Sequence, residues 1–405
     1  MNSKKKTKIV ATISDKRCDV DFLSNLYIAG INVVRLNTAH QTLEQAKKVL
    51  DNVRKVSEQI AVLVDTKGPE MRTTAMQNDD GFDVNQGDVV VISGHAEKLS
   101  SEDRLYINYP EFVHDVPVGA TILIDDGEIA LKVTDKTPDY LLCTVLNAGK
   151  IKGRKSINAT GVHVKLPSLT VKDIEFINWA IDNEVDFVAH SFVRNKQDVH
   201  NVQKILDEKN SHIKIIAKIE NQQGVDNIDD ILGSVYGIMV ARGDLGVEIE
   251  AEKIPVIQRM LIKKCRERKK PVIIATQMLH TMIEHPRATR AEISDVANAI
   301  YQRTDAIMLS GETAYGMYPL EAVETMSKIA IEIEQNLQPD TNIQLNHVTE
   351  PVTATLSISA VEATNKLPIK AIVIDTITGR TRRYIATYRP SVPVIAKCYK
   401  SHSMR

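Results

Sequence analysis

Charged and hydroxyl-bearing residues recur at one relative place along this chain, each just after a short aliphatic run. They are Arg35 with Asn37, Asp65 with Thr66, Ser191, Lys218 with Glu220, Arg242 with Asp244, Thr276, and Ser310 with Glu312. Glu220 and Asp244 close consecutive runs, and carboxylates so placed are hard oxygen donors suited to a divalent cation such as Mg²⁺. Lys218 precedes Glu220 by two residues, which puts both side chains on one side of an extended strand. Arg35, Arg72, Lys218 and Arg242 would bring positive charge to the same mouth. Gly243 would let a ligand approach the backbone N–H groups of a helix start at 241–245, an anion site. The set suits a phosphorylated, carboxylated substrate and a phosphoryl transfer.

Each residue alone also has a plain structural reading. A polar residue that ends a strand is often a helix N-cap or half of a rim ion pair. Asp244 would then be a cap, Lys218 with Glu220 a structural pair, and His40 a solvated helix-start residue. Ser310-Gly-Glu-Thr313 reads as a capping box. Recurrence at the same end of most strands is what caps alone do not explain, and it points to a functional mouth.

The elements that must hold this mouth follow from the spacing of the runs. Eight short aliphatic runs, at 8–13, 32–37, 61–66, 187–192, 213–220, 237–242, 271–276 and 306–310, read as strands buried on both faces. Amphipathic stretches at 19–29, 43–58, 171–183, 197–208, 252–268, 290–301 and 320–337 read as the helices between and after them. Such alternation gives a parallel sheet with right-handed crossovers, and eight units close a (β/α)₈ barrel of the α/β class. Catalytic groups in that fold sit at the C-terminal ends of the strands, where these residues stand.

The third and fourth strands lie far apart, so a small all-β domain is expected between them, able to hinge over the mouth as a lid. Its strands are read at 88–93, 121–124, 129–134 and 140–146, with turns at Asp126-Gly127 and Thr137-Pro138-Asp139. After a polar stretch at 338–350, a helix at 352–365, a strand at 369–375, a helix at 380–386 and a strand at 392–397 begin another α/β domain. The expected division is 1–66 with 166–340 for the barrel, 67–165 for the lid and 341–405 for the start of a C-terminal α/β regulatory domain, apparently truncated. Its few strands are the reason for that last expectation.

Composition narrows the function class. Lys and Arg number 51 against 52 Asp and Glu, a formal charge of −1, so no global field draws nucleic acid or an anionic membrane. Aromatic residues are only 4% while apolar residues are 43%, so the core is mostly aliphatic, as buried parallel strands require. Cys18, Cys143, Cys265 and Cys398 are scattered with no C-x-x-C pair, which predicts free thiols in a reducing, cytoplasmic setting. No run approaches the length of a membrane span, so no membrane partner is expected.

Several strings resemble the pyruvate kinase family. They are Asp65-Thr-Lys-Gly-Pro-Glu-Met-Arg72, Ile215-Ile-Ala-Lys-Ile-Glu-Asn221, Gly237-Ile-Met-Val-Ala-Arg-Gly-Asp-Leu-Gly-Val-Glu-Ile249, Ala275-Thr-Gln-Met-Leu279, Pro286-Arg-Ala-Thr-Arg-Ala-Glu292, Ser294-Asp-Val-Ala-Asn-Ala299 and Ile307-Met-Leu-Ser-Gly-Glu-Thr-Ala314. The resemblance runs from Thr7 to the last residue. It implies a barrel with an inserted β-barrel lid and a C-terminal regulatory domain. It also implies transfer of the phosphoryl group of phosphoenolpyruvate to ADP, giving pyruvate and ATP, the last step of glycolysis. By the resemblance, Glu220 and Asp244 hold Mg²⁺ or Mn²⁺, and Arg35 and Lys218 contact the phosphoryl group. Gly243 and Asp244, with Thr276, hold the substrate's carboxylate end. Thr276 is further expected to take part in a hydroxyl and water relay that protonates the enolate. Arg72 and Lys155 serve the nucleotide phosphates with His40 and Asn37 on the nucleotide side, and Asn37, Asp65 and Thr66 bind K⁺. The resemblance implies a homo-oligomer, a tetramer in the family, which a missing part of the C-terminal domain would compromise.

The departures carry expectations of their own. Asn37-Thr-Ala-His40 has Ala39 where the family has a serine, which removes a hydroxyl from the K⁺ site, while Glu70 is the choice of potassium-dependent members. Residual K⁺ activation with a raised requirement is expected. Thr12-Ile-Ser-Asp15 replaces the usual Thr-Ile-Gly-Pro near the nucleotide base, Ser156 follows Lys155 in place of Gly, and Tyr315 replaces a common Lys. Thr376-Ile-Thr-Gly-Arg-Thr381 resembles the loop that holds an effector's phosphate, with Thr376, Thr378 and Thr381 as its hydroxyls; an ordinary helix start is the other reading. The competing functional reading is a catalytically weak paralogue that acts by binding a ligand.

Overall fold

The computed structural model describes residues 5–78, 80–162, 164–346 and 348–399. Eight parallel strands close a barrel: β1 Lys8–Thr12, β2 Val33–Asn37, β3 Ala61–Asp65, β4 Phe187–His190, β5 Lys214–Ile219, β6 Gly237–Ala241, β7 Val272–Ala275 and β8 Ala306–Leu309. Each pairs with its neighbour in sequence, and β8 returns to β1 with Ile9 opposite Ile307. The strands are short, almost wholly buried and rich in Val and Ile, as a sheet covered on both faces demands. They are slightly shorter than the aliphatic runs in the sequence, so several polar end residues lie in the loops just beyond.

The barrel interior is filled by Val10, Leu63, Ala189, Ile216, Met239, Ile273, Ala275, Ala306 and Met308. Side chains alternate across a strand, so two residues beyond Leu63, Ala189 and Ile216 the inward positions fall to Asp65, Ser191 and Lys218. The hydrophobic packing of the barrel thereby aims three polar groups into one layer at its C-terminal end.

The helices begin where the sequence supplies caps. Asp19 accepts from Phe22 N at 2.8 Å ahead of Val20–Ala29, and Asn195 caps Lys196–Glu208. Thr42 with Gln45, and Thr289 with Glu292, form capping boxes for Leu43–Val56 and Arg290–Tyr301. Two short helices, Gln222–Asp226 and Ile228–Ser234, fill the connection after β5, which the spacing alone had not marked. Among the described residues no helix is long and apolar enough to cross a membrane.

By its contacts the chain forms two compact units. One holds residues up to Lys67, Val171–Arg242 and the chain from Pro255 onward; the other holds Gly68–Thr170 with Gly243–Ile254. The second unit contains a six-stranded sheet in the order Ile157–Thr160, Thr121–Ile124, Ile129–Lys136, Leu141–Val145, Val89–Gly94 and Leu105–Ile107, plus a strand pair Phe82–Val84 with Gly149–Ile151. The sheet covers an apolar core that includes Ile92, Ile107, Phe112, Leu131 and Cys143. Beyond the barrel the first unit continues through Pro351–Lys366, Ile372–Thr376, Arg380–Thr387 and Val394–Cys398, with the two strands parallel. Val361, Ile385 and Tyr388 form the core there, packed against Ile372, Ile374 and Val394.

Candidate active site

The polar layer above the barrel core is a connected cluster. Arg35 Nε donates to Asp65 Oδ2 at 2.6 Å, and its Nη1 to Thr12 Oγ1 at 3.0 Å. Lys218 Nζ lies 3.2 Å from Asp65 Oδ1, 2.8 Å from Glu220 Oε1 and 2.8 Å from Ser191 Oγ. Ser191 Oγ donates to Thr66 O at 2.6 Å, and Ser191 N to Thr66 Oγ1 at 3.0 Å. Asp65 is 1% exposed and Glu220 2%, so these charges face one another in place of water. Burial pushes the Asp65 carboxyl up, but the Arg35 guanidinium and the Lys218 ammonium outweigh it and hold it below the usual carboxylate range.

Backbone strain marks the same rim. Thr276 has φ 68°, Gln277 φ 54° and Phe192 φ 54°, all in the left-handed region that branched and bulky residues avoid. Phe192 in that conformation donates its N–H to Glu220 Oε2 at 2.7 Å. Thr276 carries its hydroxyl to Ala275 O at 2.6 Å, and its own carbonyl accepts from Arg242 Nη2 at 2.8 Å. Arg242 also binds Asp295 at 2.7 Å. The sequence reading gave Arg242 to the charge of the mouth. The structure instead uses it to brace the loop after β7, because Asp295 and the strained Thr276 carbonyl take its donors.

The remaining expected residues are placed as follows. Asn37 ends β2, and its Oδ1 accepts from Ala39 N at 3.2 Å. Thr66 is buried and His40 exposed. Gly243 and Asp244 lie in the first turn of the helix Arg242–Glu248; Asp244 is exposed and inside the helix, so it is not the cap that the plain reading made it. Ser310 makes no side-chain cap either; Glu312 Oε2 accepts from Ser310 N at 2.7 Å and its Oε1 from Leu279 N at 3.2 Å, which ties two rim loops together. Within the second unit, Arg72 pairs with Glu70 at 2.7 Å and donates to Arg154 O at 2.6 Å, and Lys155 pairs with Asp125 at 2.6 Å. Thr376 Oγ1 accepts from Gly379 N at 2.9 Å, which ties it to its own loop, while Thr378 is exposed and Thr381 half-buried.

The sequence had marked Ser191 as a polar strand end without giving it a role; it named Thr12 only in the altered loop after the first strand and Asp295 only within a matching string, and it did not single out His190. His190 ends β4 with its imidazole fully buried and neither ring nitrogen hydrogen-bonded. Its signal would have been a titratable residue inside an aliphatic run.

A buried Lys–carboxylate–Arg cluster at the C-terminal end of a closed eight-stranded barrel fits phosphate chemistry, and comparison with known proteins is specific about which. Residues 4–323 match the family model described as the pyruvate kinase barrel domain, and residues 354–405 the one described as the pyruvate kinase alpha/beta domain. The chain belongs to the pyruvate kinase family. It is 51% identical to a pyruvate kinase of Borreliella burgdorferi, over 96% of this chain and 81% of that one. It is 47% identical to one of Geobacillus stearothermophilus, over 97% of this chain and 68% of that one. A crystal structure of a pyruvate kinase from Cryptosporidium parvum superposes with a TM-score of 0.94 at 37% identity, covering 98% of this chain and 84% of that one. Membership in the pyruvate kinase family makes the chain a phosphotransferase, and the barrel mouth is where its chemistry is to be sought.

Proposed function

We propose that this chain transfers the phosphoryl group of phosphoenolpyruvate to ADP at the C-terminal mouth of the barrel. The observation that carries the reading is Lys218, buried and aimed by Asp65, Glu220 and Ser191 beside the Arg35–Asp65 pair. In the reaction the bond from phosphorus to the enol oxygen breaks, leaving its electron pair on that oxygen. A new bond joins phosphorus to a terminal phosphate oxygen of ADP, and the enolate carbon takes a proton to give pyruvate. Lys218 and Arg35 would bind the phosphoryl oxygens and neutralise the charge spread over them. Gly243 and Asp244, with Thr276, would hold the carboxylate end, and the Thr276 hydroxyl would hold a water on the route of the proton. Arg72 and Lys155 would take the nucleotide phosphates by exchanging their present carboxylate partners, with His40 and Asn37 on the nucleotide side.

Two cations belong to the reading. Glu220 and Asp244 would hold the Mg²⁺ or Mn²⁺. The donors fit by their chemistry, since both are hard carboxylate oxygens, and Glu220 is oriented at the rim by Phe192 N at 2.7 Å. When bound, this ion would supply Lewis-acid neutralisation of the developing charge. Asn37, Asp65 and Thr66 would hold K⁺, less tightly than a site with a serine at position 39, because Ala39 offers no side-chain hydroxyl to the ion. A homo-oligomer and a cytoplasmic setting complete the proposal; the four cysteines, none of them joined in a disulfide, suit a reducing compartment.

A coupled assay for pyruvate from phosphoenolpyruvate and ADP, with Mg²⁺ and with K⁺ titrated, tests this. ADP-dependent pyruvate that rises with K⁺ is expected, with Ala39→Ser needing less of it. No ADP-dependent pyruvate would leave the chain a ligand-binding paralogue, and full activity without any monovalent cation would sink the K⁺ assignment.

A further inference from the structure

We propose that Ser191 is a positioning residue for phosphoryl transfer, its hydroxyl fixing the direction in which Lys218 presents its N–H groups; this rests on the kinase reading above. An ammonium carries three N–H donors, and three oxygens stand within 3.2 Å of Lys218 Nζ: Asp65 Oδ1, Glu220 Oε1 and Ser191 Oγ. A phosphoryl oxygen that arrives at Lys218 must therefore take a donor from one of them. Asp65 is pinned by Arg35 at 2.6 Å. Glu220, half of the proposed metal pair, is the partner with a competing demand on its carboxylate.

Ser191 has no such demand and is the better anchored. Its single hydroxyl proton goes to Thr66 O at 2.6 Å, which turns a lone pair toward Lys218, while its backbone N–H is held by Thr66 Oγ1 at 3.0 Å. The longer 3.3 Å approach to Asp65 Oδ1 does not compete with that donation. Ser191 is 1% exposed, so no water stands ready to replace the hydroxyl. It is also the one uncharged acceptor among the three. Without it the ammonium is drawn onto the two carboxylates, away from the direction that the serine imposes.

Lys218 acts on the phosphoryl group and not on the proton, so the two half-reactions should part company. In Ser191→Ala, and in Ser191→Cys, which keeps the volume but offers only a weak acceptor, pyruvate formation is expected to fall on the order of 100-fold, the cost of misplacing a reacting group by about an ångström. Exchange of solvent deuterium into the methyl group of pyruvate should stay within about threefold of the unaltered protein, because that step does not use Lys218. Ser191→Thr, which keeps the hydroxyl, should recover transfer to within about tenfold. Loss of both rates together, or normal transfer in the Ala and Cys variants, overturns the proposal. If the unaltered chain forms no pyruvate, the kinase reading fails and takes the proposal with it. An active chain with indifferent variants overturns the positioning role alone. Should the Ala variant fail to fold, the isosteric Cys variant gives the same decision.

Discussion

Replacing Lys218 by Met keeps most of the unbranched side chain and removes the charge that Asp65 and Glu220 share. Phosphoryl transfer in Lys218→Met is expected to fall by on the order of 10²–10³, the usual weight of one electrostatic contact to a transition state. Proton exchange into pyruvate should persist; equal loss of both would count against this division of labour. His190 gives a prediction about stability instead. Burial pushes its imidazole down from 6.5 to about 4, against the smaller upward pull of Asp198 and Asp173 on the flanking helices and with smaller downward pushes from Lys218 and Arg194. The folded state thus holds His190 neutral where the unfolded chain protonates, so stability is complete above pH 6.5 and declines as pH falls toward 4. Between pH 7 and 5 this amounts to roughly 2 kcal/mol, and His190→Met should remove that part of the acid sensitivity in urea unfolding. An unchanged pH dependence in the variant would show that the imidazole is paired or hydrated.

At the scale of elements, the close approach of neighbouring strands sets what the barrel tolerates. Gly237 opens β6, and a Cβ there would lie 2.4 Å from Pro271 O on the neighbouring chain segment. Gly237→Ala must push β6 from β7 and should cost about 1–3 kcal/mol. Gly233, near the end of the helix Ile228–Ser234, meets nothing within 4 Å, so Gly233→Ala should stabilise by about 0.5–1 kcal/mol through helix propensity. Thermal midpoints that move in opposite directions would bear this out; a shared direction would refute it. The eight strands and their helices were legible because each is a run of one periodicity bounded by caps. The three- and four-residue strands Phe82–Val84, Leu105–Ile107, Gly149–Ile151 and Ile157–Thr160 were not, because pieces so short carry no pattern and exist only through distant partners.

At the scale of the molecule, the C-terminal helices and strands are held to the barrel within one unit by charges from several parts of the chain. Arg389 reaches Asp305 at 2.8 Å and Arg303 O at 2.7 Å, Lys6 donates to Pro390 O at 2.6 Å, and Arg266 meets Asp340 at 2.6 Å. Arg389→Ala takes the donor from one oxygen of the Asp305 carboxylate, whose other oxygen keeps Val272 N, and from the Arg303 carbonyl, at a cost of about 1–3 kcal/mol. Limited proteolysis should then cut the connection at 338–350 sooner than in the unaltered protein, and an unchanged cleavage rate would show that the other contacts suffice. The same contacts explain why residues 341–405, which read as a separate domain in the sequence, group with the barrel.

By itself the sequence determined the barrel, the inserted β segment, the family and the chemical types at the mouth. These are written in local alternation and in residue order, which a linear reading can follow. Only the tertiary structure decided which charges meet. Arg35 finds Asp65 thirty positions away, Lys218 and Ser191 are brought together from neighbouring strands, and Arg242 is drawn off to Asp295. Those choices depend on strand register and on which groups lose their water together, because a buried charge must find its partner in space and the order of residues along the chain does not say where that partner will be.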